Sequence, residues 1–531
     1  MPATDTSGLM DGKEFRESLK KYKPTVYVDG QLIESVVDAP SLQPGINAMA
    51  VTYDFAHDPA MAPLMLAKQT VSGKTVNRML HIDESAGDLL NKLEAVRVLC
   101  QGTGCAQRYL AHDALGGILQ AVSKIDDAKG STEYTSKFAA YLQRVQDEDL
   151  TLGIAMTDAK GDRSKRPNQQ LNQDVYVHIL ERNAKGIVIT GTKAIVTGAP
   201  YVHEFLVMPS RNMREDDADF AVCCAVPVDA PGITIVSRPA GRPGEPEHGA
   251  PLFSRKYGQA TGVVIFDKVF VPWDRVFLSG EWEFSGDITY NYATHHRHSC
   301  IGARAGFGDL LIGAGILMCE ANGLDPNKKA NLRDPMVELI KITEGFYACG
   351  VAASVYAVQD PYSKTFMPEP VYSNIGKLLL STQIYDMHRL AHEVSGGLIV
   401  ALPGPDEDHN PATAATLAEV LRANPDVPYD KRIEVSRFIE DLTASYQGGW
   451  YSLISLHGGG SPTALRQEIW RNYPVGSKVE LVERLMDRGV LAEDNRAITK
   501  NKQPGRCCDA GCSQPGQPFM VPLPETKKKR A

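Results

Sequence analysis

The spacing of apolar residues changes twice along the chain, and those two changes fix its layers. Up to residue 150 the spacing is helical, most clearly in ESAGDLLNKLEAVRVLC (84 to 100), CAQRYLAHDALGGILQAV (105 to 122) and STEYTSKFAAYLQRVQDED (131 to 149). At Thr151 it becomes that of strands. TLGIAMT, DVYVHILER, GIVITGTKAIVTG, HEFLVMP, DFAVCCAVP, GITIVSRP, GVVIFDKVFVP and RVFL succeed one another to about Leu278, separated by Gly, Pro, Asn and Asp. From Asp287 helices return, over 287–322, 328–359, 372–396, 411–423, 429–446 and 476–490. Helices, then strands, then helices describe an α+β chain with a barrel-like β layer between two helical layers. The division expected is a mainly helical 1–150, a β domain at 151–283, a helical bundle at 284–494 and a tail, 495–531, without ordered structure. Near the start, a helix over 11–22 precedes TVYVDGQLIES, which alternates around an Asp29-Gly30 hairpin turn.

A net charge of -8 with no basic stripe argues against a nucleic-acid surface and leaves small molecules as the expected partners. There is no charged and apolar leader, and the longest apolar run, Leu310 to Cys319, is too short to span a bilayer, so a cytoplasmic protein without membrane contact is expected. Ten scattered cysteines suit a reducing compartment rather than a disulfide framework. Cys223 and Cys224 read as strand core, Cys319 and Cys349 as helix core. Cys507, Cys508 and Cys512 sit in the tail at a spacing that fits no standard metal pattern.

Four stretches carry the chemistry. In CQGTGCAQRYLAHDAL, Gly102 and Gly104 predict one helix ending near Cys100 and another opening near Cys105. On the second, Cys105, Arg108 and His112 fall on one face with Tyr109 beside them, a thiol, a guanidinium and a proton-trading imidazole that suit an anionic or phenolic oxygen. GIAMTDAKGDRSKRP leaves a strand for a loop dense in amides and positive charge, where Thr157, Lys160, Gly161 and Arg163 suit phosphates or a polar ring edge. HHRHSCIGARAGFGD opens a long helix with His296 and Cys300 one turn apart, and LHGGGSP offers three glycines whose amides a ligand can approach closely. No nucleophile elbow, Walker loop or strand-linked GxGxxG occurs, so no Rossmann domain is predicted.

Taken together and in order, AMTDAKGDR, GIVITGTKAIVTG, HEFLVMP, VVIFDKVFVPWDRVFL, EVSGGLIVALP and LHGGGSP resemble the flavin enzymes of the 4-hydroxyphenylacetate 3-monooxygenase and 4-hydroxybutyryl-CoA dehydratase superfamily, from about residue 12 to residue 490. The resemblance implies an acyl-CoA-dehydrogenase-like fold, with an N-terminal helical domain, a middle β barrel and a C-terminal helical bundle. It also implies FAD between the layers and a homotetramer. It carries flavin binding to Ile154, Ala155, Met156, Thr157, Lys160, Gly161, Asp162, Arg163, Thr197 and the run His457, Gly458, Gly459, Gly460.

The dehydratase branch holds a [4Fe-4S] cluster on three Cys and one His. Here Cys105 and His296 stand at two of those places, while Tyr109 and Ala303 stand at the other two. Two positions with catalytic glutamates in that branch hold Thr261 and Ile454, although Thr197 and Gln107 match. No four-point cluster is therefore expected; a rearranged ligand set drawing on Cys100 or Cys300 is the alternative. In the hydroxylases an Arg and a Tyr four residues on grip the phenol; the matching residues are Arg108 and His112, while Ile154 replaces a third contact, a His. Ser210 and Arg211 match a further substrate-contacting turn. The first reading is thus a reduced-flavin-dependent monooxygenase, with a separate reductase as partner. In it Arg108, Tyr109, His112, Ser210 and Arg211 hold a phenolic or enolisable substrate, and Arg108 and His112 stabilise the oxyanion and take the proton. The second is a flavin-dependent acyl-CoA dehydratase or double-bond isomerase with His296 as base; the third, a flavin-binding protein without activity.

Overall fold

In the computed structural model, which describes residues 6, 8–70, 72–241 and 252–488, the β layer consists of two sheets. Its strands are β1 (Thr25–Val28), β2 (Gln31–Leu32), β3 (Leu152–Ala155), β4 (His178–Asn183), β5 (Gly186–Thr197), β6 (Glu204–Val207), β7 (Val222–Pro227), β8 (Ile233–Ser237), β9 (Thr261–Pro272) and β10 (Val276–Ser279). The six-stranded sheet runs β2-β1-β8-β9-β5-β4 and the four-stranded one β10-β7-β6-β3. The hairpin around Asp29 and Gly30 forms, both residues taking the positive φ that a two-residue turn requires. Its first strand pairs in parallel with β8, so a segment of the N-terminal region completes the sheet of the middle one.

Alternation explains which faces are buried. In β9, Val264 and Phe266 point inward; a bulge follows, with Lys268 at a φ of 53°, and resets the register so that Val269 and Val271 also point inward. Apolar residues of both sheets, among them Ile187, Val207, Val226, Ile235 and Val264, share one core. Cys223 and Cys224 are buried in β7, Cys319 is buried, and Cys349 is half-buried.

The helices that position the site are α1 (Ala86–Thr103), α2 (Tyr109–Lys129), α3 (Ser285–Ala321), α4 (Ala330–Val355), α5 (Pro370–Ser395), α6 (Tyr429–Thr443) and α7 (Tyr446–His457). The 37-residue α3 is the axis, packed against α1, α2, α4, α5 and α6. It is long and apolar enough to cross a membrane, yet most of its apolar stretch is buried here as core. Small residues bring its neighbours close. A Cβ on Gly306 would sit 2.2 Å from the Arg97 carbonyl oxygen of α1, and one on Gly117 of α2 would sit 2.6 Å from the Tyr292 amide nitrogen. Backbone contact on both sides thus clamps residues 292–306 between α1 and α2. The tail cysteines and the end of the helix expected over 476–490 lie outside the described residues.

Candidate active site

A small cavity opens where the start of α2 faces α3, α5, α7 and the end of β5. His296, Cys300, Ala303 and Arg304 line it from α3, Tyr109 and Gln107 from the start of α2 and the turn before it, Lys377 from α5, Thr197 from β5, and Ser455 and Gly458 from α7 and its end. On α3, Tyr292, His296, Cys300 and Arg304 recur every four residues and form one stripe. The His296 ring is stacked between Tyr292, at 5.4 Å between centroids, and Tyr109, at 6.2 Å.

Cys300, His296 and Asp113 form a chain of contacts. Cys300 Sγ lies 3.5 Å from His296 Nε2, and His296 Nδ1 lies 3.2 Å from Asp113 Oδ2. Asp113 Oδ1 accepts from Ser299 Oγ at 2.6 Å and from Lys92 Nζ at 3.4 Å. Burial opposes charge on His296, but the neighbouring Cys300 charge and the Asp113 hydrogen bond raise it to about 10. Burial likewise opposes a Cys300 thiolate, and the His296 charge and hydrogen bond, then Lys377 and Arg304, overcome it and lower the thiol. Burial pushes Lys377 down to about 8, and its ammonium donates to Ser381 Oγ and the Ser455 carbonyl, each at 2.5 Å. The hydrogen bond from Cys100 brings Cys105 down to about 6, with help from Arg304 against burial. Two buried polar atoms of lining residues, Gln107 Oε1 and Arg304 Nη1, have no partner.

Behind this wall lies a second set of charges. Lys92 Nζ is 4.0 Å from Asp83 Oδ2, and His112 Nε2 is 3.4 Å from Asp83 Oδ1. Burial opposes the Asp83 carboxylate, yet His112 and Lys92 hold it well below the usual carboxylate range, while burial lowers His112 itself.

The expected face of Cys105, Arg108 and His112 does not form. Gly104, at a φ of 71°, ends α1; Cys105 and Ala106 belong to no helix or strand, Gln107 and Arg108 make a turn, and α2 begins only at Tyr109. Helical spacing therefore does not relate Cys105 to the other two. Arg108 turns away from the cavity and donates to Asp149 Oδ1 at 2.5 Å and to the Asp149 carbonyl at 2.9 Å, with its guanidinium 3.8 Å over the Tyr53 ring. His112 faces Asp83 and not the cavity. None of the three lines the cavity; the neighbouring Tyr109 does, along with His296.

The loop after β3 carries Thr157, Lys160, Gly161 and Arg163. Fully buried Lys193 of β5 ties it down, bonding to Asp158 Oδ1 at 2.6 Å and to the Met156 and Met208 carbonyls at 2.9 and 2.8 Å. Met156, Thr157 and Lys160 are half-buried, and Gly161 and Arg163 exposed. Burial and then the Arg163 charge lower Lys160, and Arg211 adds to this, so these three cations share one region; Ser210 and Arg211 are half-buried. Asp162 accepts from Ser164 and serves the turn. Ile154 and Ala155 turn their side chains into the core. Arg297 holds the glycine run through the Gly459 carbonyl at 2.8 Å, while His457 is exposed and faces away from the cavity.

Asp113, Arg304 and Lys377 were not singled out by sequence reasoning. Their signal is a charge set inside an apolar helical run: AHDALGG, GARAGFG and IGKLLL.

The sequence model for the 4-hydroxyphenylacetate 3-hydroxylase N-terminal domain matches residues 11–278, and that for the C-terminal domain matches residues 285–487. The chain belongs to the 4-hydroxyphenylacetate 3-hydroxylase family. Its fold is acyl-CoA-dehydrogenase-like, with a helical N-terminal region, β sheets and a C-terminal helical domain. Within the family, 4-hydroxybutyryl-CoA dehydratase/vinylacetyl-CoA-Delta-isomerase of Clostridium aminobutyricum is 34% identical over 487 residues, 90% of this chain and 99% of that one. The 4-hydroxyphenylacetate 3-monooxygenase oxygenase component of Thermus thermophilus is 24% identical, across 87% and 94%. Among solved structures, an oxygen-tolerant archaeal 4-hydroxybutyryl-CoA dehydratase from N. maritimus superposes with a TM-score of 0.86 at 32% identity, covering 93% of this chain and 99% of that one. The oxygenase component of 4-hydroxyphenylacetate 3-monooxygenase complexed with FAD superposes with a TM-score of 0.77 at 22% identity, across 90% and 99%, a likeness of fold.

The residues at the cluster positions of the dehydratase branch do not fit an iron-sulfur cluster. The Ala303 methyl cannot ligate, and Tyr109, whose hydroxyl lies 3.9 Å from Cys105 Sγ, is pushed well above the usual phenol range by burial. Among the described residues no three His, Cys, Asp or Glu side chains form a site for a single metal ion.

Proposed function

We propose that this protein is a flavoenzyme acting on an acyl-CoA thioester by proton transfer, of the double-bond-isomerase type, rather than a phenol hydroxylase. The carrying observation is which side chains face the cavity. Arg108 and His112, on which a hydroxylase site would depend, are engaged by Asp149 and Asp83, whereas His296 faces the cavity beside Cys300, Arg304 and Lys377. The greater similarity to the dehydratase/isomerase than to the Thermus oxygenase supports the same reading.

FAD fits the residues present. Lys160, Arg163 and Arg211 suit its diphosphate, the side-chain-free run at 458–460 allows close approach, and the unpartnered Gln107 Oε1 suits a polar ring edge. When bound, it supplies a redox partner beside the substrate carbons. The chain's own part is acid and base work. Arg304 Nη1 donates to the thioester carbonyl oxygen and makes the α-hydrogen more acidic. His296, sharing one proton with Cys300, takes a proton at the α carbon and returns one at the γ carbon. Asp113 holds the imidazole in orientation through Nδ1. Loss of a β-hydroxyl is not assigned, because Tyr109 and Ala303 stand at two of the four cluster positions of the dehydratase branch. A homotetramer and cytoplasmic placement belong to the same proposal.

The test is FAD-loaded protein with vinylacetyl-CoA in deuterated water, followed by mass spectrometry. Conversion to crotonyl-CoA with deuterium uptake is expected, and a His296→Gln variant should lose it by about 100-fold. Oxygen-dependent hydroxylation of a phenol by reduced FAD, with the thioester untouched, would overturn this reading and restore the monooxygenase one with its separate reductase.

A further inference from the structure

Cys300 has an arrangement that proton transfer by His296 does not require. Its sulfur lies 3.5 Å from His296 Nε2, and Nδ1 of the same ring lies 3.2 Å from Asp113 Oδ2, itself anchored by Ser299 Oγ at 2.6 Å. Thiol, imidazole and carboxylate in this sequence are the parts of an activated nucleophile, a base beside the sulfur and a third group that fixes the base. The sulfur is also aimed at something, since Cys300 lines the enclosed cavity whereas Cys223 and Cys224 are sealed in β7. Arg304 Nη1, buried and without a partner, lines the same cavity and suits the carbonyl oxygen of an electrophile. Lys377 adds a second positive charge.

We infer that Cys300 is a covalent site for α,β-unsaturated acyl thioesters, with His296 and Asp113 as its activating pair. The reaction is a conjugate addition. The Cys300 sulfur forms a bond to the β carbon, the electron pair of the carbon-carbon double bond moves to the α carbon, and the proton given up by the thiol to His296 is delivered there. No oxidant or reductant is consumed, and reversal returns thiol and enoyl thioester. The natural electrophile rests on the thioester reading above, since an isomerase of that kind produces a 2-enoyl thioester beside this sulfur.

Two probes separate the inference from the reading it rests on. Full-length protein is treated with acrylamide or with crotonyl-CoA at a small molar excess, digested, and each cysteine peptide quantified by mass spectrometry. Cys300 is expected to gain the mass of either probe at least about tenfold faster than Cys223 or Cys224, and His296→Gln should lose about tenfold or more of that rate. Wild-type selectivity needs no variant, and a thermal melt confirms that His296→Gln is folded; Asp113→Asn, in which the imidazole loses its orienting carboxylate, provides a second slowed variant. Labelling of Cys300 by acrylamide but not by crotonyl-CoA upholds the activated thiol and overturns the enoyl thioester as its electrophile, while the isomerase reading stands or falls on the deuterium experiment. Labelling of Cys300 no faster than the sheet cysteines, or unchanged in folded His296→Gln, overturns the inference.

Discussion

Arg108 and Asp149 form a fully buried ion pair, Nη2 to Oδ1 at 2.5 Å, roofed by the Tyr53 ring. The pair fastens the start of α2 to the turn that leads into β3, and so fixes where Tyr109 enters the cavity. Arg108→Ala would leave the Asp149 carboxylate buried without its cation, at a cost of about 3–5 kcal/mol. The expected result is a markedly lower Tm, with the substrate KM of the folded fraction little changed. A variant with unaltered Tm and a kcat/KM reduced a hundredfold would show instead that Arg108 works on substrate.

That residue also marks the limit of what was legible. The order of layers, the β9 and β5 strands, the long α3 and the facing of His296 and Cys300 follow from periodicity, because buried faces repeat along regular elements. Arg108 and His112 did not follow, since the start of α2 is displaced by four residues and their partners, Asp149 and Asp83, come from loops whose approach no spacing encodes. Asp113, Arg304 and Lys377 were missed for a related reason. A lone charge in an apolar helix announces a buried partner without saying which one.

The α1 and α3 crossing tolerates no side chain at Gly306. A methyl there would lie 2.2 Å from the Arg97 carbonyl oxygen and 2.9 Å from Cys100 Cβ, and neither belongs to a flexible side chain. Gly306→Ala should therefore cost about 1–3 kcal/mol through helix displacement. Because the shift moves Cys300 and Arg304 relative to Tyr109, activity should fall together with Tm, in contrast to Gly313→Ala on the same helix, where nothing lies within 4 Å. Thermal melts and turnover of both variants check this.

His203 gives the fold an acid-sensitive joint. Its Nδ1 accepts from the Thr151 amide at 2.8 Å, and its Nε2 faces Ser18 Oγ at 2.8 Å, whose own hydrogen goes to the Phe15 carbonyl, so the ring is neutral with its proton on Nε2. Burial, then the charge of Arg108, lowers it from 6.5 to about 3. Between those values the unfolded chain binds a proton that the folded one refuses, so stability falls as pH drops below 6.5, by about 1.4 kcal/mol per pH unit from this residue. Urea denaturation between pH 7 and pH 5 should show a steeper loss for wild type than for His203→Gln, and parallel slopes would sink the assignment.

Under the proposed function, Lys193 links the β layer to the loop that would hold FAD. Its ammonium, within a buried pair with Asp158, also fastens the carbonyl of Met156, at the start of the loop that carries Thr157 and Lys160, and that of Met208, at the end of the neighbouring strand β6. Lys193→Met strands the Asp158 carboxylate and should cost about 3–5 kcal/mol, whereas adding Asp158→Val removes the unpaired charge and should restore most of it. The carbonyls remain without their donor in the double variant, so the loop stays loose. Its Kd for FAD, followed by flavin fluorescence quenching, should remain raised by roughly tenfold, the equivalent of about 1.4 kcal/mol. Recovery of tight FAD binding together with stability would mean that the loop's shape does not depend on Lys193.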